Sequence, residues 1–368
     1  MLDMASREQQ VLELIREDPM LPQQAIASRL AMTRSAVAGH VMNLSNKGLI
    51  KGRGYVLSDS PFIAVVGGAN IDIHGRSSKS LRSNDSNPGE VHIAAGGVAR
   101  NIAENLARLG TDSRLISAIG ADQHGQMLTQ LSRDAGVNVQ NLHVIPAAKT
   151  STYLSVLDDS GDMLLGINDM SVIEQLSVEL LQAQAPMLKR AALIVIDCNL
   201  HPDTLAWLLE TFSDVPIFAD TVSTAKAPRL QPHLHQIHTL KTGTIEVEAL
   251  TGRDAKTTAQ LKTVANALHA EGVKRVFITR GDKGVFFSDG QQQGMQKVRR
   301  GKEDIRNAGG AGDAFLAALA YAWMEKWDLA TSIEFSLAAT DLTLAHAGTN
   351  DPTLSVGRIQ HAMEQQHA

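Results

Sequence analysis

The stretch Asn307-Ala308-Gly309-Gly310-Ala311-Gly312-Asp313 decides how the rest of the chain is read. Glycines and alanines leave its backbone nearly bare, and an acid closes the run. Behind it, residues 314–326 carry Phe315, Leu316, Leu319, Ala320 and Trp323, an apolar pattern that predicts a buried helix. Bare backbone at a helix start aims N–H groups and the positive end of the helix dipole at whatever lies there, which suits an anion. Glycine lets that backbone approach closely and take dihedrals other residues resist. Asp313 then falls in the first helical turn, beside the cradled anion. A phosphoryl group in transit and a carboxylate that takes the attacker's proton fit this arrangement. A plain turn before a core helix, with Asp313 as a cap, fits the stretch equally well when it is taken alone.

The chain has 368 residues, of which 43% are hydrophobic and 20% charged, enough for more than one domain with a sizeable core. The formal net charge of −5 gives no whole-chain reason to expect nucleic acid or an anionic membrane as the main partner. The single cysteine, Cys198, excludes an internal disulfide framework and cysteine-based zinc sites. No run is long and apolar enough for a membrane span, and residues 1–10 have no signal-peptide pattern, so a cytoplasmic setting is expected.

Residues 1–58 behave as a separate module. Ser6 heads a helical pattern with Val11, Leu12, Leu14 and Ile15; Pro22 opens another with Ile26, Ala27 and Leu30; Thr33 starts a third with Val37, Val41 and Leu44. Gly48-Leu49-Ile50 and Gly54-Tyr55-Val56-Leu57 read as two short strands around Lys51-Gly52-Arg53. The run "QQAIASRLAMTRSAVAGHVMNLSNKGLIKGRGYVL" resembles winged helix-turn-helix DNA-binding domains. That resemblance implies a third helix in the major groove, with Thr33, Arg34, Ser35 and His40 as DNA contacts and Lys47, Lys51 and Arg53 on phosphates. A three-helix module for dimerisation or docking is the other reading.

After a linker at Ser58-Asp59-Ser60-Pro61, Phe62-Ile63-Ala64-Val65-Val66 reads as a buried strand. From there strands and helices alternate. Helices are expected at 97–109, 125–134, 178–188, 202–211, 258–271, 314–326 and 329–345, and strands at 113–119, 193–196, 217–218, 236–240, 275–279 and 284–287. This alternation predicts a three-layer α/β/α domain over residues 59–368. Residues 75–93 and 150–168 break it with alternating strands, and one small β sheet serving as a lid would hold both.

Three glycine-rich sites now line up: Gly67-Gly68-Ala69-Asn70-Ile71-Asp72 after the first strand, "AAGGVARNIAENLARLG" at 94–110, and the opening stretch. In this order they resemble the PfkB family, the carbohydrate and nucleoside kinases related to ribokinase and adenosine kinase. Gly120-Ala121-Asp122-Gln123-His124-Gly125, Ile196-Asp197-Cys198-Asn199-Leu200 and Thr279-Arg280-Gly281-Asp282-Lys283-Gly284 add to the resemblance, which covers about residues 61–365. It implies a ribokinase-like fold and transfer of the γ-phosphoryl group of ATP, with Mg2+, to a primary hydroxyl. Asp313 matches the family's catalytic base, and the amides of Gly310, Ala311 and Gly312 its anion hole. Asp72, Gly97 and Asn101 match residues that hold the acceptor sugar; Asn70 beside Asp72 suits its hydroxyls, and Gly96 with Gly97 lets it lie against bare backbone. Lys241, Glu246, Thr279, Gly281 and Gly284 match the ATP side, with Glu246 reaching the magnesium through water. A homodimer is expected, since lid sheets in this family often pair.

Two positions depart from the family. Gly243 stands where an Asn is usual in the segment Lys241-Thr242-Gly243-Thr244-Ile245-Glu246, so an amide contact is missing. Asn307 stands where an Asp helps some relatives bind a monovalent cation such as K+, keeping an oxygen but losing a charge. For the acceptor, Gly166-Ile167-Asn168-Asp169-Met170 and Asp220-Thr221-Val222-Ser223-Thr224-Ala225-Lys226 resemble pseudouridine kinases more closely than sugar kinases. Asn168 and Asp169 are therefore placed near a nucleoside, while Asp169 fits equally as a cap of the next helix. Other nucleosides, a free sugar of the ribose or fructose type, or a transcription regulator that only senses a ligand are the alternatives. His233, His235 and His238 fit no zinc spacing, Cys198 reads as packing, and Asp197 and Lys226 are each open between a nucleotide contact and a turn or surface role.

Overall fold

The computed structural model describes residues 6–51, 60–159, 163–298 and 305–367. The chain divides into two compact units, 1–61 and 62–368.

In the first unit α1 (Ser6–Glu17), α2 (Gln23–Arg29) and α3 (Arg34–Asn46) enclose a core of Val11, Leu12, Ile15, Ile26, Val37 and Leu44. Pro22 precedes α2 with the φ of −63° that a helix start wants. Thr33 caps α3 by accepting the Ala36 N–H at 3.2 Å. The expected second wing strand, at 54–57, lies outside the described residues.

The second unit starts with β1 (Phe62–Val66), every residue of which is buried. Next come β2 (Asn70–Ser77), β3 (Gly89–Gly96), α4 (Val98–Arg108), β4 (Asp112–Gly120), α5 (Gln123–Asp134), β5 (Asn138–Ile145), β6 (Thr152–Leu157) and β7 (Met163–Asp169). The chain continues through α6 (Val178–Gln182), α7 (Ala185–Leu188), β8 (Leu193–Asp197), α8 (Pro202–Thr211), β9 (Ile217–Asp220), β10 (Thr239–Gly243), α9 (Thr244–Thr251) and α10 (Thr258–Ala270). It closes with β11 (Arg275–Thr279), β12 (Val285–Ser288), β13 (Gln293–Gln296), α11 (Ala311–Met324), α12 (Leu329–Leu344) and α13 (Val356–His367).

Among the described residues the main sheet has nine strands, ordered β13-β12-β11-β10-β9-β8-β1-β4-β5. From β11 to β5 all neighbours run parallel; only β12 and β13 are antiparallel. The carboxyl ends of β1, β8, β9, β10 and β11 therefore share one edge, where open α/β sheets bind ligands. Side chains of β1 alternate between two cores. Phe62, Ala64 and Val66 pack with α8, α9 and α10 residues such as Leu205, Val247 and Leu261. Ile63 and Val65 pack with Ile102 of α4, Phe315 of α11 and Ile333 of α12. Helices thus cover both faces, which makes the three layers.

The second sheet has four strands, ordered β3-β2-β6-β7. Its register puts Ala94, Asp72, Tyr153 and Asn168 in one cross-strand row and Ile93, Ile73, Leu154 and Ile167 in the next. Directly opposed residues share a face and successive rows alternate faces. One face is thus polar around Asp72, and the other carries Val91, Ile93, Leu154, Leu165 and Ile167, all exposed. The lid was expected over about 75–93 and 150–168, starting later than β2 does. Asn70 and Asp72 in fact begin a long lid strand rather than ending a loop. The expected helix 178–188 is two short pieces, because Pro186 cannot donate the hydrogen bond that would continue the first.

Candidate active site

Gly310 ends the glycine run with φ +75°, a left-handed conformation that favours glycine, and any side chain there would strike the Thr349 carbonyl. The helix begins at Ala311, earlier than the apolar pattern indicates, and its first intrahelical bond is from the Ala314 N–H to the Gly310 carbonyl at 2.8 Å. The amides of Ala311, Gly312 and Asp313 precede that bond and point out of the helix start. Asn307 shapes the approach: its Oδ1 accepts the Gly309 N–H at 2.8 Å, and its Nδ2 donates to the Ala347 carbonyl at 3.0 Å.

Asp313 lies in the first turn and is 8% exposed. Its Oδ2 accepts a hydrogen bond from Asn101 Nδ2 at 2.9 Å. Burial, reinforced by the charge of Asp220, pushes its carboxyl up to about 7, against the pull of Lys241 and Asn101. A carboxylate poised there accepts a proton readily near neutral pH. Asn101 Oδ1 in turn accepts from Asn350 Nδ2 at 3.5 Å, and Asn350 also donates to Glu104 at 2.9 Å. Glu104 and Arg100 form a buried ion pair at 2.5 Å.

The first two glycine-rich runs are drawn together by Asp197 at the end of β8. Its Oδ2 accepts the N–H groups of Gly68 at 2.8 Å and Ala99 at 2.9 Å, and its Oδ1 that of Asn199 at 2.8 Å. Burial nevertheless raises it to about 6. The carboxylate occupies the space where Gly67 would carry a side chain, which explains that glycine. Gly97, at φ +99°, lies over the Gly68 carbonyl, and a side chain on Gly96 would meet the Asp72 carboxylate. Asp72 itself, raised by burial, accepts from Asn70 Nδ2 at 2.5 Å.

On the other side of Asp313, Lys241 in β10 is buried and paired with Asp220 of β9 at 2.9 Å. Glu246 accepts the Gly243 N–H at 2.8 Å through Oε2, which also binds the Thr221 hydroxyl. Glu246 thus caps α9 through the backbone of the residue that replaces the usual Asn. Its Oε1 has no hydrogen-bond partner among the described residues. No group of three His, Cys, Asp or Glu able to hold a metal directly occurs among the described residues. An ion carried in by phosphates and held through water fits this donor set. Thr279 pairs with Gly243 across the sheet, and Gly281 and Gly284, at φ +55° and +87°, close the turn that follows.

Several sequence-level candidates fall elsewhere. Asn168 lies on the lid face of Asp72, with Tyr153 between them. Asp169 accepts the Ser171 N–H at 3.1 Å, the turn role that was its alternative. Lys226 donates to Asn199 at 2.6 Å, neither free at the surface nor at the helix start of Asp313. Cys198 is buried, its thiol pushed up by that burial. His238 stacks on Phe218 and lies tilted against Trp323, and burial lowers it to about 4. In the first unit Thr33, Arg34 and Ser35 are exposed, whereas His40 turns toward Glu8 at 3.9 Å, and Lys47 pairs with Glu8 at 2.7 Å. No local pattern marks Thr349 or Asn350, and the pairing of Lys241 with Asp220 follows only from the strand order.

A model of the pfkB family of carbohydrate kinases matches residues 60–355. This chain belongs to the pfkB family. Its members are phosphotransferases with an alcohol group as acceptor. Residues 4–51 match a model of winged helix-turn-helix DNA-binding domains. The chain is 39% identical over 354 residues to an uncharacterized sugar kinase, YeiI, of Escherichia coli (strain K12), covering 96% of this chain and 97% of that protein. It is 37% identical over 310 residues to a pseudouridine kinase of the same organism, covering 84% and 98%. The fold is ribokinase-like. A ribokinase of Arabidopsis thaliana, solved with ribose and ATP, superposes with a TM-score of 0.74 at 21% identity, over 83% of this chain and 99% of that one.

Proposed function

We propose that this pfkB kinase phosphorylates the 5′-hydroxyl of a nucleoside, with pseudouridine as the first candidate, using ATP and Mg2+. The observation that carries the reading is the Asn101–Asp313 bond at the start of α11, which joins the acceptor-side helix to the base. The likeness to a pseudouridine kinase along nearly that protein's whole length favours the nucleoside. The acceptor lies between Asn70, Asp72, Gly96, Gly97 and Asn101, with Asn168 on the lid above, while Asp169 keeps the turn role described for it. The γ-phosphate of ATP lies over the amides of Gly310, Ala311 and Gly312. Lys241, Thr279, Gly281 and Gly284 line the remainder of its path. Magnesium would supply charge neutralisation at the phosphates, and Glu246 would hold it through water. Asp313 takes the hydroxyl proton as the oxygen–phosphorus bond forms, and proton loss can come late in a loose transition state. The lid keeps water from the phosphoryl group.

The cation reading is narrower. The Asn307 amide oxygen already accepts the Gly309 N–H and carries no charge, so weak stimulation by a monovalent cation such as K+ is the expectation. The exposed apolar face of the lid sheet is the face by which two copies pair into a homodimer. Thr33, Arg34 and Ser35, with His40 at their flank, form the DNA-contacting start of α3, and a cytoplasmic location follows from substrates and DNA alike. Among the described residues no helix is long and apolar enough to cross a membrane.

An ADP-release assay across pseudouridine, other nucleosides and free sugars tests the acceptor. Release with ribose or fructose but with no nucleoside transfers the reading to a sugar kinase, the reading that the YeiI relative favours. No release with any acceptor, together with tight nucleoside binding, favours a sensor. Binding of duplex DNA that weakens steeply with salt tests residues 1–58.

A further inference from the structure

The ammonium group of Lys241 lies directly beneath the helix start that cradles the anion. A β-carbon on Gly312 would stand 2.5 Å from Lys241 Nζ, so the lysine occupies the space of the missing side chain. The lysine is held there by Asp220 Oδ2 at 2.9 Å, its neighbour across β9 and β10. Asp220 is fixed in turn, because its Oδ1 accepts the Val222 N–H at 2.8 Å. Both partners are buried, and their mutual attraction is weakly screened.

Three charged groups act on Asp313: Asp220 from the end of β9, Lys241 from β10 and Asp197 from the end of β8. Asn101 of α4 adds a neutral hydrogen bond. Lys241 is acted on by Asp220, Asp313 and Glu246. Burial opposes its charge, but these acids outweigh burial and keep the ammonium protonated above its ordinary range. Two buried acids on one lysine leave a net negative charge, so the ionised Asp313 depends on that lysine staying in place.

We propose that Lys241 is a positioning residue for Asp313, pinned by Asp220 under a helix start that is glycine at 312 to make room for it, and that this pair sets when the base is ionised. The proposal rests on the reading of Asp313 as the base. It also accounts for Gly312 beyond a need for backbone close to phosphate. Removing the lysine withdraws a favourable charge from Asp313, whereas removing Asp220 withdraws an unfavourable one. The two variants therefore act in opposite directions, while a pair that merely tied β9 to β10 would give the same loss of stability from either side.

The test needs no substrate. Lys241→Met, Asp220→Asn and the parent are each made with and without Asp313→Asn, and melting temperatures are followed from about pH 5 to about pH 9. The stabilisation that Asp313→Asn confers grows with pH until Asp313 ionises in the folded protein and then levels off. In the parent it levels near the value of about 7. In Lys241→Met it is expected to level about one pH unit higher, and in Asp220→Asn about one unit lower. Gly312→Ala is expected to shift it upward like Lys241→Met, and it replaces that variant if Lys241→Met fails to fold. Levelling at the parent's pH in the variants on both sides overturns the proposal. If the shifts appear but Asp313→Asn retains turnover in the ADP-release assay, the base assignment fails and the placement of Lys241 stands.

Discussion

On the acceptor side of the site, Asp197 binds Ala99 and Gly68, residues 98 and 129 positions away, and Asp313 binds Asn101, 212 positions away. On the other side of Asp313 the ties are shorter: Lys241 to Asp220 and Glu246 to Thr221 span 21 and 25 positions. Glu246 accepts from Gly243, three residues earlier, and the turn at 281–284 closes on itself through Gly284 N–H to the Gly281 carbonyl at 3.1 Å. The side proposed to place a hydroxyl against a phosphorus atom is thus held by contacts of the longest sequence separation. The side proposed to hold the triphosphate is made of turns and of ties between neighbouring strands. Misplacement of reacting atoms costs far more than loosening of a handle, and the two halves are built in that proportion.

The sharpest way to break this contrast is Asp313→Asn. Turnover is expected to fall by about 10²–10⁴, the usual contribution of general base catalysis, with the KM for ATP nearly unchanged. Near-normal turnover would sink the assignment. The same carboxylate governs pH dependence. With Asp313 raised to about 7, the ionised base is lost as the pH falls below that value, so kcat/KM should rise with pH up to about 7 and then flatten. A profile already flat below about pH 6 contradicts the assignment. Asp197→Asn comes next. It turns an N–H2 toward a backbone donor, and each buried N–H left unpaired costs about 1–3 kcal/mol. A lower melting temperature and a raised KM for the acceptor are expected, and a variant as stable as the parent would contradict the long-range pinning. The smallest effect is expected from Gly284→Ala, where a β-carbon at φ +87° also meets the Gln296 carbonyl. Its expected signature is a loss of about 1–2 kcal/mol of stability and a several-fold rise in the KM for ATP alone. A change in the acceptor KM of the same size would erase the distinction between the halves.

The same contrast explains what could be read in advance. Asp313, the Gly310–Gly312 amides and the turn from Thr279 to Gly284 were legible, because each is a run of neighbouring residues whose local backbone demands glycine. Asp197 and Asp220 were visible as acids behind apolar strands, but their work was not, since it depends on which strands lie side by side. Lys241 read as part of an ATP loop because its partner is on the adjacent strand. Thr349 and Asn350 left no trace at all, as a loop residue that touches Gly310 or Asn101 through space has no local pattern. The three layers followed from alternation alone. The lid was half read: Ile71 and Ile73 alternate with Asp72 and His74 as a strand should, but Gly75 and the polar stretch behind it hid the period. Pro186 marked the break between α6 and α7, and a continuous apolar pattern masked it.

The Asn101–Asp313 hydrogen bond also orders events in time. During synthesis the three-helix unit, the lid strands and most of the parallel sheet exist before Asp313 has been made, and contacts of such long sequence separation close late in folding. A growing chain can therefore carry its first unit and the residues proposed to hold the acceptor before Asp313 exists. With Asp313 as the proposed base, competence to spend ATP arrives only with the last part of the fold.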